Sequence, residues 1–101
     1  ITGGAQGIGR ASAERFLASG AVVAIWDLDK NLAERCASEL SEAGQIKAYE
    51  VDVTNVRSVT DATAQVEMDF GRIDVLVNNA GLALGVATVD KNDLEYLRET
   101  R

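Results

Sequence analysis

Short apolar runs alternate along the chain with longer stretches whose apolar residues recur every three to four positions. After a glycine-rich turn at 2–9, Gly9, Ala13, Phe16, Leu17 and Gly20 follow helical spacing, with Arg10, Glu14 and Arg15 on the other faces. The spacing predicts a helix that stops at Gly20. Residues 21–26, AVVAIW, form a continuous apolar run typical of a strand buried on both faces. A second helix is predicted over 29–42, with Leu32, Cys36 and Leu40 at four-residue steps, ending before Gly44. A strand at 46–51 then leads to Asp52. Thr54 is expected to cap a third helix in which Val56, Val59, Thr63, Val66 and Phe70 share a face. Gly71 ends it, and IDVLV at 73–77 reads as a further buried strand. From Asp90 onward the pattern is helical again, with Leu94 and Leu97 as its apolar contacts.

Strand–helix–strand alternation with continuous apolar strands implies an α/β fold: right-handed crossovers and a parallel sheet with helices on both faces. The front of the chain departs from that pattern. A glycine turn of this kind follows a strand of about 5 residues, and only Ile1 and Thr2 precede it. In a doubly wound sheet that strand lies in the middle, between the second and the fourth. The expectation is one partial domain over 1–101, truncated at both ends, with its first strand largely missing and folding poorly by itself.

Composition narrows the partners. Of 101 residues, 47% are apolar, enough for a core. A net charge of −6 argues against nucleic acid, which is bound through clustered Lys and Arg. No apolar run approaches the ~20 residues that cross a bilayer, and no secretory leader pattern is present. Cys36, the only cysteine, excludes an internal disulfide and suits a reducing cytoplasm. With no histidine, a zinc site is not expected, and histidine acid–base chemistry is absent from these residues.

The chemistry starts at TGGAQGIG. Gly3, Gly7 and Gly9 allow a turn whose amides close around a phosphate, and the following helix aims its free N–H groups at the same place. No Lys-Ser or Lys-Thr follows, so this is not a P-loop. Asp27 lies 18 positions after Gly9, at the end of a strand, where a carboxylate can accept bonds from both hydroxyls of an adenosine ribose. A 2′-phosphate there would meet like charge, worth about 4 kcal/mol at 4 Å and an effective dielectric of 20. Position 6 is Gln and Lys30 lies beyond the strand end, so NAD is favoured over NADP. The competing reading of Asp27 is a solvated strand end or a cap for the next helix. Asp52 follows the third strand, again at a carboxyl end, and serves equally as a helix-initiating residue. Asn78, Asn79, Ala80 and Gly81 follow the fourth, where two amides can tie strand ends together or form an ordinary turn.

Together these residues resemble the short-chain dehydrogenase/reductase family. Thr2-Gly3-Gly4-Ala5-Gln6-Gly7-Ile8-Gly9 matches its TGxxxGxG turn, Asp27 its NAD-preferring acidic residue, Asp52-Val53 its adenine-holding pair, and Asn78 to Gly81 its NNAG. The preceding Gly71-Arg72-Ile73-Asp74-Val75-Leu76-Val77 is also similar, and the match thins over NDLEYLRETR. The resemblance implies a Rossmann domain and hydride transfer between NAD or NADP and an alcohol or ketone, as in a 3-oxoacyl-[acyl-carrier-protein] reductase. It further implies a homo-oligomer, dimer or tetramer, and a cofactor held by Gly3, Gly4, Gln6, Gly7, Ile8, Gly9, Asp27, Asp52, Val53, Asn78, Ala80 and Gly81. The family's Tyr-x-x-x-Lys is absent: Tyr49 is followed by Val53 and Tyr96 by Thr100 at that spacing, so no catalytic residue is assigned. The alternatives are an NAD-binding sensor or scaffold without catalysis, and a truncated product without function.

Overall fold

The structure is a computed structural model that describes residues 1–80. Helix α1 (Gly7–Ala18) is followed by strand β1 (Val23–Asp27), helix α2 (Lys30–Leu40), a 3-10 turn (Ser41–Ala43), strand β2 (Ile46–Glu50) and helix α3 (Val56–Phe70). The expected helix beyond Asp90 lies outside the described residues.

β1 and β2 pair in parallel, in a register that sets Ile25 opposite Ala48. The crossover between them is α2, which is what parallel pairing requires. Alternation along β1 decides the layering. Val23 and Ile25 turn to one face, where they pack with Ala13 and Leu17 of α1 and with Ala33, Cys36 and Leu40 of α2. Ala24 and Trp26 turn to the other, against Val51 and against Ala62 and Val66 of α3. One five-residue strand thus supplies two cores, and helices cover both faces of the sheet as the pattern predicts.

Ile1 and Thr2 run along the free edge of β1. The Ile1 nitrogen donates to the Ala24 carbonyl at 2.7 Å, the Trp26 N–H to the Ile1 carbonyl at 2.9 Å, and the Gly3 N–H to the Trp26 carbonyl at 2.7 Å. On their far side, the Thr2 N–H donates to the Val77 carbonyl at 3.0 Å. The order across the sheet is therefore β2, β1, Ile1–Thr2, then Val77, with the first segment in the middle as expected.

Helix ends follow local chemistry. α1 closes with a pair of bonds, Gly20 N–H to the Leu17 carbonyl and Ala21 N–H to the Phe16 carbonyl, with Gly20 at φ +89°. The Asp29 side chain caps α2 by accepting the Leu32 N–H at 3.1 Å. Three expectations need correction. α3 is capped by Asn55, whose side chain accepts the Ser58 N–H, and Thr54 is instead bonded to Asp52. Val56, at the first helical position, is 83% exposed, and Ala62 takes its place on the buried face. The 73–77 run is not a strand: its described neighbour across the sheet is the short Ile1–Thr2 segment, which offers one backbone bond, and Val75 and Leu76 stay exposed.

Candidate functional site

The carboxyl ends of β1 and β2, the glycine turn and the 78–80 segment meet at one edge of the sheet. They enclose a cavity of about 330 Å³ lined by Gly3, Gln6, Trp26, Asp27, Leu28, Val51, Asp52, Val53, Thr54, Asn79 and Ala80. A larger cavity, about 660 Å³, opens on the α3 side among Phe16, Val22, Val59, Phe70 and residues 72–77, and contains no predicted site residue. The smaller one is the candidate site, because the sequence-predicted residues gather there and none lines the larger.

The glycine turn is held on the end of β1. Gly3 and Gly4 N–H groups both point to the Trp26 carbonyl, at 2.7 and 3.4 Å, and the Cys36 thiol donates to the Gly4 carbonyl at 3.7 Å. Burial raises the Cys36 pKa, consistent with a core thiol. Gln6 stands at the start of α1 with no side-chain capping bond. Among the described residues, none accepts from the N–H groups of Gly7, Ile8 or Gly9, so the positive end of α1 keeps three donors without a described partner, those of Gly7 and Ile8 on exposed residues and that of Gly9 on a buried one. Gly7 sits at φ +58° with open space where a Cβ would project. Gly9 is different. A Cβ there would lie 2.6 Å from Asn79 Nδ2 and against the Gly3 carbonyl, so close packing of the two turns needs its bare Cα.

Asp27 is held on both oxygens: Oδ2 accepts the Ala5 N–H at 3.3 Å and Oδ1 the Asp29 N–H at 3.0 Å. It is thus fixed at the cavity wall, and the cap of α2 is Asp29. Asp52 Oδ1 accepts from Thr54 twice, from its N–H at 2.9 Å and its hydroxyl at 2.6 Å. Those two donors hold the Asp52 carboxyl below the usual carboxylate range.

The 78–80 segment is latched by Thr2, a residue outside the sequence-predicted set. Its buried hydroxyl accepts the Asn79 and Ala80 N–H groups, each at 2.9 Å. Asn79 Nδ2 donates in return to the Gly3 carbonyl at 3.2 Å. A Thr opening the glycine motif and two adjacent amides after an apolar run were the available signals. Of the predicted residues, Gly3, Gln6, Asp27, Asp52, Val53 and Ala80 line the cavity; Gly4, Gly7, Ile8 and Gly9 build the turn beside it. Asn78 is exposed and outside the lining, and Gly81 lies outside the described residues. Among the described residues, no cluster of His, Cys, Asp and Glu could hold a metal, and no helix is long and apolar enough to cross a membrane.

The family model described as short chain dehydrogenase matches residues 1–100, well past the four motifs. The chain is 48% identical over 84 residues to 2-(S)-hydroxypropyl-CoM dehydrogenase 3 of Xanthobacter autotrophicus, covering 82% of this chain and 33% of that protein. It is 40% identical over 92 residues to 3-hydroxyacyl-CoA dehydrogenase type-2 of Drosophila melanogaster, covering 91% and 35%. Among solved structures, NAD+-bound xylitol dehydrogenase superposes with a TM-score of 0.76 at 34% identity, over 79% of this chain and 31% of that one. A metagenomic short-chain oxidoreductase in complex with NADP gives 0.76 at 31% identity, over 81% and 38%. The chain spans about a third of the length of these relatives.

Proposed function

This chain belongs to the short-chain dehydrogenase family, and on that premise we propose that its residues 1–101 are the cofactor-binding portion of a larger Rossmann domain. The intact protein interconverts a secondary alcohol and a ketone by hydride transfer with a nicotinamide dinucleotide. What carries the proposal is convergence: two carboxylates and a tightly latched second turn meet at one cavity, and beside it stand turn amides that have no partner among the described residues.

The residues present fit a dinucleotide. Gln6, Gly7, Ile8 and Gly9 offer N–H donors for the pyrophosphate, and Gly3 and Gly4, whose own N–H groups are taken by the Trp26 carbonyl, keep the turn beside it free of side chains. Asp27 takes the adenosine ribose, Asp52 and Val53 the adenine, and Asn78, Ala80 and Gly81 the nicotinamide half. When bound, the nicotinamide supplies the hydride chemistry; these residues bind and orient it. The catalytic acid–base and the substrate pocket belong to other parts of the protein.

NAD is the preferred form. Asp27 is held in place by two backbone donors, so it cannot swing away from a 2′-phosphate. We further assign a cytoplasmic location, which suits a single buried free thiol, and assembly into dimers or tetramers.

Trp26 is the only tryptophan, and its carbonyl holds the glycine turn at the cavity, so its emission is the probe of occupancy. Titration with NADH is expected to quench it saturably, and NADPH to bind at least tenfold more weakly. Asp27→Asn should narrow that gap. A variant with the wild-type ratio of the two affinities would show that Asp27 does not face the ribose.

A further inference from the structure

We infer that Thr54 is a positioning residue for base recognition: it occupies one oxygen of the Asp52 carboxylate, so that only the other can meet an adenine amino group. The inference rests on the dinucleotide reading above and deepens it.

Both Thr54 donors converge on Oδ1, at 2.9 and 2.6 Å. Beneath them, the Asp52 N–H donates to the Ser58 hydroxyl at 3.0 Å, and the Ser58 N–H donates to the Asn55 side chain at 3.1 Å. The 52–54 turn is thereby tied to the first turn of α3. Among the described residues, none donates to Asp52 Oδ2 and none accepts from the Val53 N–H, and both residues line the cavity.

The terminal torsion of an Asp side chain is soft and twofold. A lone carboxylate would offer either oxygen at a range of angles. Two bonds to Oδ1 remove that freedom before any ligand arrives. What remains is a fixed acceptor beside a backbone donor. Adenine presents the complement, an amino donor next to a ring-nitrogen acceptor. Hypoxanthine presents a carbonyl in place of the amino group, which would set two oxygens against each other. A carboxylate free to turn could relieve that clash by accepting from the hypoxanthine ring N–H; a held one cannot. Thr54 thus gives the acidic residue its preference between bases. The same donors move the Asp52 carboxyl further below the usual carboxylate range.

The test compares NAD with nicotinamide hypoxanthine dinucleotide by calorimetric titration of the full-length protein. Wild type should prefer NAD by about ten- to a hundredfold, the span of one charge-assisted hydrogen bond made or left unmade. Thr54→Val should cut that preference by about three- to tenfold, while Thr54→Ser, which keeps the hydroxyl, retains it. A Thr54→Val protein that weakens both ligands in parallel, or neither, overturns the positioning role. Asp52→Asn separates the two levels. If it abolishes the preference while Thr54→Val does not alter it, only the role of Thr54 fails; if it too leaves the preference intact, the adenine assignment fails. Should Thr54→Val not fold, Thr54→Ala is read by the same ratio.

Discussion

Replacing Thr2 with valine removes one oxygen from a side chain that is only 5% exposed, and leaves its shape nearly unchanged. That oxygen accepts the Asn79 and Ala80 N–H groups at 2.9 Å each and donates to the Val77 carbonyl at 3.4 Å. Two half-buried amide donors therefore lose their acceptor. An unmet buried donor costs about 1–3 kcal/mol, and partial access of water moves each toward the lower end. The long bond to Val77 adds little. The expected loss is about 2–4 kcal/mol, concentrated in residues 77–80. Two other hydrogen bonds tie that segment to the glycine turn, Thr2 N–H to Val77 and Asn79 Nδ2 to Gly3. Urea unfolding should show a lower midpoint at unchanged slope. NADH titration followed by Trp26 emission should show an affinity about tenfold weaker, which corresponds to about 1.4 kcal/mol of the loss reaching the site. Thr2→Ser keeps the acceptor and should restore most of both. A valine variant with wild-type midpoint and wild-type NADH affinity would refute the latch.

Gly9→Ala should weaken NADH binding by at least tenfold, since a Cβ 2.6 Å from Asn79 Nδ2 forces the two turns apart at about 1–3 kcal/mol; circular dichroism should stay near wild type, and unchanged affinity would rule out the crowding. Away from the site, Asp69 accepts from Lys47 and Tyr49 at 2.7 Å each and from Gln65 at 3.1 Å, which holds its carboxyl below the usual range, the Lys47 bond first among the causes. Its contribution to stability is complete above the unfolded carboxylate pKa and disappears as pH falls through the depressed folded value. Asp69→Asn should flatten that acid limb in a urea-midpoint series against pH. The Tyr49 hydroxyl is raised by burial and by the Asp69 carboxylate beside it, so ultraviolet titration should find one tyrosine ionising above the ordinary range.

Local pattern foretold most of the helices and their buried faces. Gly9, Ala13 and Leu17 line one side of α1, and Cys36 and Leu40 one side of α2, as helical spacing requires. AVVAIW read as a strand buried on both faces, and β1 does feed two cores. Where local signals compete, pattern alone does not decide. Thr54 and Asn55 are both good caps, and the Asp52 carboxylate decides between them by engaging Thr54. The 73–77 run has the composition of a strand, but pairing depends on a neighbour distant in sequence, and Thr2 offers it a single backbone bond. The latch is invisible to local pattern for the same reason: Thr2 and Asn79 are 77 positions apart. The two carboxylates fall at the cavity because each follows the carboxyl end of a parallel strand; what fixes each of them is a matter of neighbours.

Trp26 has a double employment. Its indole packs in the core beneath α3, and its carbonyl carries the first two glycines of the turn. Loosening that core by trimming Ala62 or Val66 would move the hook from which the turn hangs. Stability and the placement of the turn are therefore mechanically linked through one residue, so variants selected for a firmer interior are expected to arrive with a shifted turn, and, where the proposed dinucleotide site holds, with an altered grip on its ligand.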